Sequence, residues 1–254
     1  MDILKNIIKN KLKEISAAKK NIPLEVLRAA LEKVPKPRDF KKAISKKGKL
    51  CIIAEIKKAS PSAGIIRKSF NPADLAARLE ESGADALSVL TDRKFFKGDI
   101  SYIKKVKARV NLPVLRKDFI IDEYQVYESR ANGADAILLI ARLLTANKLK
   151  MLHSLAKRLR ISSIVEVNSR VDLIKVLAIK PDIIGINNRN LKTFEIDLGL
   201  SARLRPLIPQ KTTTVSESGV RDFKTLTQLK GMGFNSVLIG EAFMKRNSIS
   251  INLE

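Results

Sequence analysis

Eight short apolar runs alternate with stretches that carry helix signals, and this order predicts a TIM (β/α)8 barrel with an N-terminal helical extension. Two further observations agree. A Gly-Ala-Asp motif recurs at a spacing of two strand–helix units. Polar residues also collect where the apolar runs give out. A doubly wound open sheet is the main alternative, but no G-x-G-x-x-G follows the first run.

The 254 residues fit one barrel domain spanning 1–254, with 1–48 as the helical extension packed on it. In that extension Ile3, Leu4, Ile7, Ile8, Leu12 and Ile15 form one side of a first helix that Asp2 can cap. Asn21 and Pro23 start a second helix with Leu24, Leu27, Leu31 and Val34 as its apolar face. Pro35-Lys36-Pro37 breaks it, and Arg38-Asp39-Phe40 opens a short third segment.

Strands are predicted at 51–56, 86–90, 112–116, 136–140, 163–167, 183–187, 212–216 and 236–239. Asn71-Pro72 starts a helix that Gly83 ends, and Asp122 starts one that Gly133 ends. Thr145 opens a long helix with Leu149, Leu152, Leu155 and Leu159 on one face. Ser169 and Asp172 form a capping box ahead of Ile174 and Leu177. Ser82–Leu87 (SGADAL) resembles Asn132–Ile137 (NGADAI), 50 positions on. Lys180–Ile183 and Gly233–Ser236 hold similar places, so the four stretches lead into strands two, four, six and eight.

Composition narrows the function classes. One Cys excludes internal disulfides, and Cys51 in an apolar strand reads as a small core residue. One His, His153, excludes multi-His metal sites and reads as a packing residue. Residues 1–20 mix charges with apolar residues and lack a signal-peptide core, and no apolar run is long enough to span a membrane. A cytoplasmic protein is expected. The net charge is +23, yet Lys and Arg are spread over nearly every helix and the chain has no Trp. Specific nucleic-acid binding is not expected; attraction of anionic metabolites is.

In a TIM barrel the site lies at the C-terminal ends of the strands. Glu55 and Lys57 sit at the end of strand one, two apart and so on one side. An acid inside an apolar run needs a partner. Strand two runs out at Thr91-Asp92, and strand three gives Arg116, Lys117 and Asp118. Strand five gives Glu166 and Asn168, strand six Asn187 and Arg189, strand seven Glu217 and Ser218. Strand four, Leu138–Ile140, suits a wall. Ser218-Gly219 and Gly240-Glu241 close strands seven and eight, where small residues let backbone N–H groups reach a phosphate. The set suits proton transfer on an anionic organic substrate and contains no metal-ligand cluster. The bland alternatives are a structural ion pair at strand one and two tight turns at strands seven and eight.

These stretches resemble indole-3-glycerol phosphate synthase, an enzyme family of tryptophan biosynthesis. The resemblance rests on AEIKKASPSAG, LPVLRKDFIID, VEVN, GINNRNLKTFEID, VSESG and IGEAFM, in order, with PRDF in the extension, over about residues 35–245. It implies ring closure of 1-(2-carboxyphenylamino)-1-deoxyribulose 5-phosphate with loss of CO₂ and water, without cofactor or metal. Lys117 then matches the acid at the carbonyl oxygen and Glu166 the second acid–base group. Glu55 and Asn187 match residues that position hydroxyls and assist proton transfer. Lys57 bridges catalysis and phosphate, and Ser218 serves both. Ser218, Gly219, Gly240 and Glu241 hold the phosphate. Arg189 and Ser60 face the anthranilate carboxylate, Phe96 and Phe119 hold the ring, and Glu217 binds substrate. Lys58–Ser69 forms a mobile lid. Lys117 is expected to face Glu166 across the mouth and hold it ionised. Residues 245–254 are short and polar for the family's closing helix. No second barrel follows, so a single-function monomer acting on an anionic sugar phosphate is expected.

Two rivals remain at this stage. A phosphoribosylanthranilate isomerase-like barrel would share the phosphate loops but need a Cys–Asp pair, and Cys51 lies four residues before Glu55. A basic binding protein on a degenerate barrel is the other; the presence of Lys117 and Glu166 counts against it.

Overall fold

The computed structural model describes residues 3–190, 193–220 and 222–240. Asp2, proposed above as a cap, and the segment from Glu241 onward lie outside them. Eight parallel strands close a barrel: β1 (Cys51–Ile56), β2 (Ala86–Leu90), β3 (Val114–Lys117), β4 (Ala136–Ile140), β5 (Ser162–Val167), β6 (Ile183–Asn187), β7 (Thr213–Glu217) and β8 (Ser236–Ile239). Each pairs with its sequence neighbours, and β1 pairs with β8 to close the ring. Strand three starts two residues later than predicted: Pro113 has no N–H to donate, although its carbonyl still accepts from Leu87 at 2.9 Å. Strand seven runs one residue further, which makes Glu217 a strand residue.

Three helices precede the barrel: α1 (Ile3–Asn21), α2 (Leu24–Ala30) and α3 (Phe40–Ala43). The outer ring is α4 (Pro72–Glu81), α5 (Arg93–Phe96), α6 (Ser101–Arg109), α7 (Glu123–Ala131), α8 (Ala146–Arg158), α9 (Arg170–Leu177), α10 (Gly199–Leu204) and α11 (Phe223–Gly231). Their starts carry the expected caps. Asn71, Asp122, Thr145, Ser169 and Asp222 each accept a backbone N–H from the first turn. Among the described residues no helix is long and apolar enough to cross a membrane.

Two expected apolar faces are corrected. Leu12 is 57% exposed, and Lys11 instead takes the inward position between Ile7 and Ile15. A helix turns about 100° per residue, so 4, 7, 11 and 15 form the buried stripe and 12 falls beside it. On α9, Ile174 is 63% exposed, while Leu173 and Val176 are buried. Both corrections are one-residue errors of phase.

Side chains alternate across each strand. Ile52, Ala54 and Ile56 pack outward on the helices; Ile53 points inward with Ala86, Leu115, Ala136, Leu138, Ile164, Ile183, Val215 and Leu238. Phe40 and Ile44, from α3 and its end, join this inner cluster with no exposure, whereas Leu4 and Ile7 of α1 join it from the mouth.

The internal repeat has a physical basis at the bottom of the barrel. Gly83 and Gly133 take φ +91° and +85°, ending their helices in the left-handed region. The Asp that follows is buried. Asp85 Oδ2 accepts the Ile52 N–H at 2.9 Å, and Asp135 Oδ2 accepts that of Val114 at 2.7 Å. Asn235 does the same for Thr214 at 2.8 Å. Each aspartate is neutralised by lysine: Asp85 by Lys46 and Lys49, Asp135 by Lys107. Asp135 also accepts the Arg38 N–H at 2.7 Å, which ties the extension to the barrel. Asp182, at the matching position, is different: its side chain is 61% exposed and pairs with Lys41. His153 packs nearby, its Nδ1 2.7 Å from Ser163 Oγ. Cys51 is buried at this same end, and burial pushes its thiol pKa up.

Replacing Asp135 with Ala strands the Lys107 ammonium and the Val114 N–H. We expect a loss of about 3 kcal/mol or more in denaturant unfolding, in the range for breaking a buried pair. Asp182→Ala should cost well under about 1 kcal/mol, since its pair is exposed. Equal losses would refute the clamp account.

Candidate active site

The inward positions turn from apolar to polar as the strands approach their C-terminal ends. Two residues past Ile53 stands Glu55; past Leu115, Lys117; past Ile164, Glu166; past Val215, Glu217. These groups and Asn187 form one layer beneath a cavity of about 690 Å³. Leu138 and Ile140 supply the expected apolar wall. Arg116 and Asp118 face the other way, as the alternation requires. Arg116 pairs with Asp118 at 3.1 Å and with Glu128 of α7 at 2.8 Å, so it braces the barrel's outside.

Lys117 is the hub of the polar layer. Its Nζ lies 3.0 Å from Glu55 Oε2 and 3.4 Å from Glu217 Oε2. Glu55 Oε1 also accepts from Lys57 Nζ at 2.7 Å. Burial works against charge at Glu55, but Lys117 and Lys57 overcome it and hold the carboxyl down at about 2. Burial likewise opposes the Lys117 ammonium, and Glu55, Glu217 and Glu166 together push its pKa well above the usual lysine range.

Glu166 behaves differently. Burial, and then the neighbouring Glu217, push it up to about 8; Lys117 offsets only part of this. The expectation that Lys117 holds Glu166 ionised is therefore wrong. Lys117 ion-pairs with the other two glutamates, whereas Glu166 makes no such ion pair and accepts a neutral hydrogen bond from Asn187 Nδ2 at 3.1 Å. Glu217 is raised too, burial again first, and shares a side-chain hydrogen bond with Glu166. Two buried carboxyls that interact this closely titrate as a pair.

Glu217 also departs from its expected place. It is fully buried, does not line the cavity, and sits against Gly185, where a Cβ would collide with its Oε1. It lies beneath the cavity lining, so it does not present the surface expected of a substrate-binding residue. Ser60, Phe96, Phe119, Arg189, Ser218, Gly219 and Gly240 all line the cavity. The Phe96 and Phe119 rings lie 6.1 Å apart, inclined by 41°. Glu241 lies outside the described residues.

The β6 and β7 ends form one braced unit. Asn187 Oδ1 accepts from Arg189 N and from Ser218 Oγ, both at 3.0 Å. Asn168 does not enter the cavity; its Nδ2 donates to the Asn187 and Arg189 carbonyls at 2.7 and 3.1 Å. Ser218 takes φ +64° and Gly219 φ +96°, two consecutive left-handed residues. Asn188 Nδ2 supports this turn by donating to the Glu217 and Ser218 carbonyls. Gly240 has another reason to be glycine: a Cβ there would overlap Glu55 Oε1.

Over the mouth, Ala59–Ser60 pairs with Gly64–Ile65 as a small antiparallel hairpin in the predicted lid, and Ser60, Pro61 and Ser62 face the cavity. Ile3, Leu4 and Ile7 of α1 complete the roof. Sequence reasoning placed these on the barrel but missed their position over the site. It also missed Asn188 and Lys11. A lysine in the middle of an apolar stripe was the available signal for Lys11; Asn188 offered none beyond its two flanking polar neighbours. Cys51 lies at the opposite end from this cavity, which removes the Cys-based alternative.

Comparison with known proteins agrees with this geometry. A solved structure, the N-acetylmannosamine-6-phosphate 2-epimerase from Clostridium perfringens, superposes with a TM-score of 0.64 over 81% of this chain and 90% of its own, at 12% identity, which speaks to the fold alone. Indole-3-glycerol phosphate synthase of Chromobacterium violaceum is 46% identical over 247 residues, covering 96% of this chain and 93% of that protein. The Alkaliphilus metalliredigens protein of the same name is 43% identical over 251 residues, covering 99% and 96%. The profile described as indole-3-glycerol phosphate synthase matches residues 4–254, and the chain belongs to that family.

Proposed function

We propose that the protein is an indole-3-glycerol phosphate synthase, converting 1-(2-carboxyphenylamino)-1-deoxyribulose 5-phosphate to the indole with loss of CO₂ and water in tryptophan biosynthesis. The observation that carries this reading is the pairing, in one cavity, of a lysine held charged at rest with a carboxyl whose pKa is raised to about 8. The family membership supports it.

The layer divides the work. Ring closure joins the ring carbon bearing the carboxylate to the ribulose carbonyl carbon, and charge grows on the carbonyl oxygen. The Lys117 ammonium stabilises that oxygen and donates to it as it becomes a strong base. Loss of CO₂ returns the electron pair of the broken bond to the ring. The hydroxyl then leaves as water on receiving a proton, and the adjacent amine-bearing carbon gives up a proton to form the ring double bond. Glu166 is the group whose raised pKa fits the donation and whose carboxylate can take the second proton. Glu55, held near 2, does not relay protons in this scheme; it fixes Lys57 and Lys117 in place. Asn187 orients Glu166 and Ser218 together. Ser218, Gly219 and Gly240, with Lys57 and Glu241, are assigned to the phosphate; Ser60 and Arg189 to the carboxylate; Phe96 and Phe119 to the ring.

The reading treats residues 1–254 as one domain with 1–48 packed on the barrel, acting as a cytoplasmic monomer without a specific nucleic-acid partner. Its support for a monomer is that described residues of a single chain line the cavity, roof included.

Purified protein should generate indole fluorescence from the carboxyphenylamino-deoxyribulose phosphate. Lys117→Met should fold and lose about 10²–10⁴-fold in turnover, the range for a positioned acid. Near wild-type turnover would take Lys117 out of the mechanism.

Crystals grown in sulfate should show an anion against the backbone N–H groups of Ser218–Gly219 and Gly240. An anion found only at the lower barrel face argues against the assignment.

Glu166→Gln separates chemistry from stability. Between its ordinary value of 4.5 and about 8, Glu166 keeps its proton in the folded chain and loses it in the unfolded one. The unfolded state then binds fewer protons, so this group's contribution to stability declines as pH rises through that window. The Gln variant lacks the decline. Its melting temperature relative to the parent should therefore rise from pH 5 to pH 8, while turnover falls by orders of magnitude. An active variant with an unchanged pH profile would make Glu166 a bystander.

A further inference from the structure

We propose that Lys11, on α1 and outside the catalytic layer, is a positioning residue that sets the aromatic half of the cavity. This deepens the functional reading above and rests on it for the identity of the substrate ring.

Lys11 is 3% exposed, on a helix whose other lysines reach solvent. Its Nζ lies 2.6 Å from Glu14 Oε2, 3.0 Å from Asp92 Oδ2 and 2.9 Å from Asp118 Oδ1. Neither aspartate is more than 2% exposed at its side chain. Asp118 holds the backbone of one cavity aromatic, and Asp92 caps the short helix that carries the other. Asp92 Oδ1 accepts the Phe95 N–H at 2.8 Å, capping α5, the short helix that ends in Phe96. Asp118, the residue directly after Lys117, accepts the Phe119 N–H on its Oδ1 at 2.8 Å. One ammonium thus joins the anchors of Phe96 and Phe119 to each other and to the helix that lays Leu4 and Ile7 over the mouth.

The two aspartates are not equally provided for. Asp118 has Arg116 at 3.1 Å and Thr91 Oγ1 at 2.6 Å as well. Asp92 Oδ2 has no hydrogen-bond partner, and Lys11 is its ion pair. Removing the ammonium therefore leaves a buried carboxylate uncompensated at the base of α5, and a buried charge without a partner moves or is neutralised. Either response shifts Phe96 against Phe119 and frees the Leu4–Ile7 roof. The phosphate end, at Ser218–Gly219 and Gly240, does not touch this network.

The test is Lys11→Met, with Lys11→Arg as the conservative control. For Met we expect KM for the carboxyphenylamino-deoxyribulose phosphate to rise about tenfold or more, since small misplacements of positioning groups are costly. Saturated turnover should fall less than about threefold, and the inhibition constant of inorganic phosphate should stay within about twofold, which an intact phosphate end requires. Arg should recover most of the KM. An unchanged KM, whatever the melting temperature does, overturns the proposal. So does a parallel change in KM, turnover and phosphate inhibition, which marks general damage. If Lys11→Met does not fold, Asp92→Asn, which keeps a cap oxygen but removes the charge facing Lys11, is read by the same outcomes. If the parent enzyme does not turn over this substrate, the functional reading fails. The inference is then decided in the crystal structure of the Met variant: a displaced Phe96 supports it, and an unmoved Phe96–Phe119 pair overturns it.

Discussion

The charge balance around Lys117 is the constraint on which the site depends. One buried ammonium faces three buried glutamates, and it ion-pairs with only two of them. A second lysine, Lys57, completes Glu55. The deficit of positive charge, with burial, pushes the pKa values of both Glu166 and Glu217 up. The same shortage that would be a liability in a core produces a carboxyl poised near neutrality. The glycines follow from it as well. Gly185 makes room for Glu217, and Gly240 for Glu55, so the barrel wall is thinned wherever a carboxylate must lie flat against it.

The strands were legible because short apolar runs and helix caps are local. Cys51–Ile56, Ala86–Leu90, Ala136–Ile140, Ile183–Asn187 and Ser236–Ile239 need no tertiary information to place. So were Glu55, Lys117 and Glu166 as a group, because strand-end position in a parallel barrel brings them together. Their partnerships were not legible. Which glutamate takes Lys117 depends on distances across the ring, and Glu166 and Glu217 differ in sequence context too little to rank. Helix phase also failed locally: Leu12 and Ile174 look as apolar as their buried neighbours, and only packing decides which side of the stripe is inward.

The extension contributes to both ends of the barrel. Phe40 and Ile44 close the bottom of the inner cluster, while α1 roofs the mouth and places Lys11 among the aspartates below it. An N-terminal segment that looks like an ornament on the fold is thus part of the cavity's wall. Its apolar stripe is interrupted by one charge because the surface it meets is not wholly apolar.

The aspartate and asparagine clamps under the barrel have a consequence for how the chain can be divided. Asp85 precedes β2 and holds β1; Asp135 precedes β4 and holds β3; Asn235 precedes β8 and holds β7. Each clamp thus lies inside an odd–even strand pair and crosses no boundary between pairs. The barrel is in this respect a ring of two-strand modules, with the β5–β6 module lacking the device because Asp182 turns outward to Lys41. A chain opened after an even-numbered strand keeps every clamp, and one opened after β1, β3 or β7 severs one. The joints between modules are where such a barrel tolerates rearrangement, and the repeat in the sequence marks where they are.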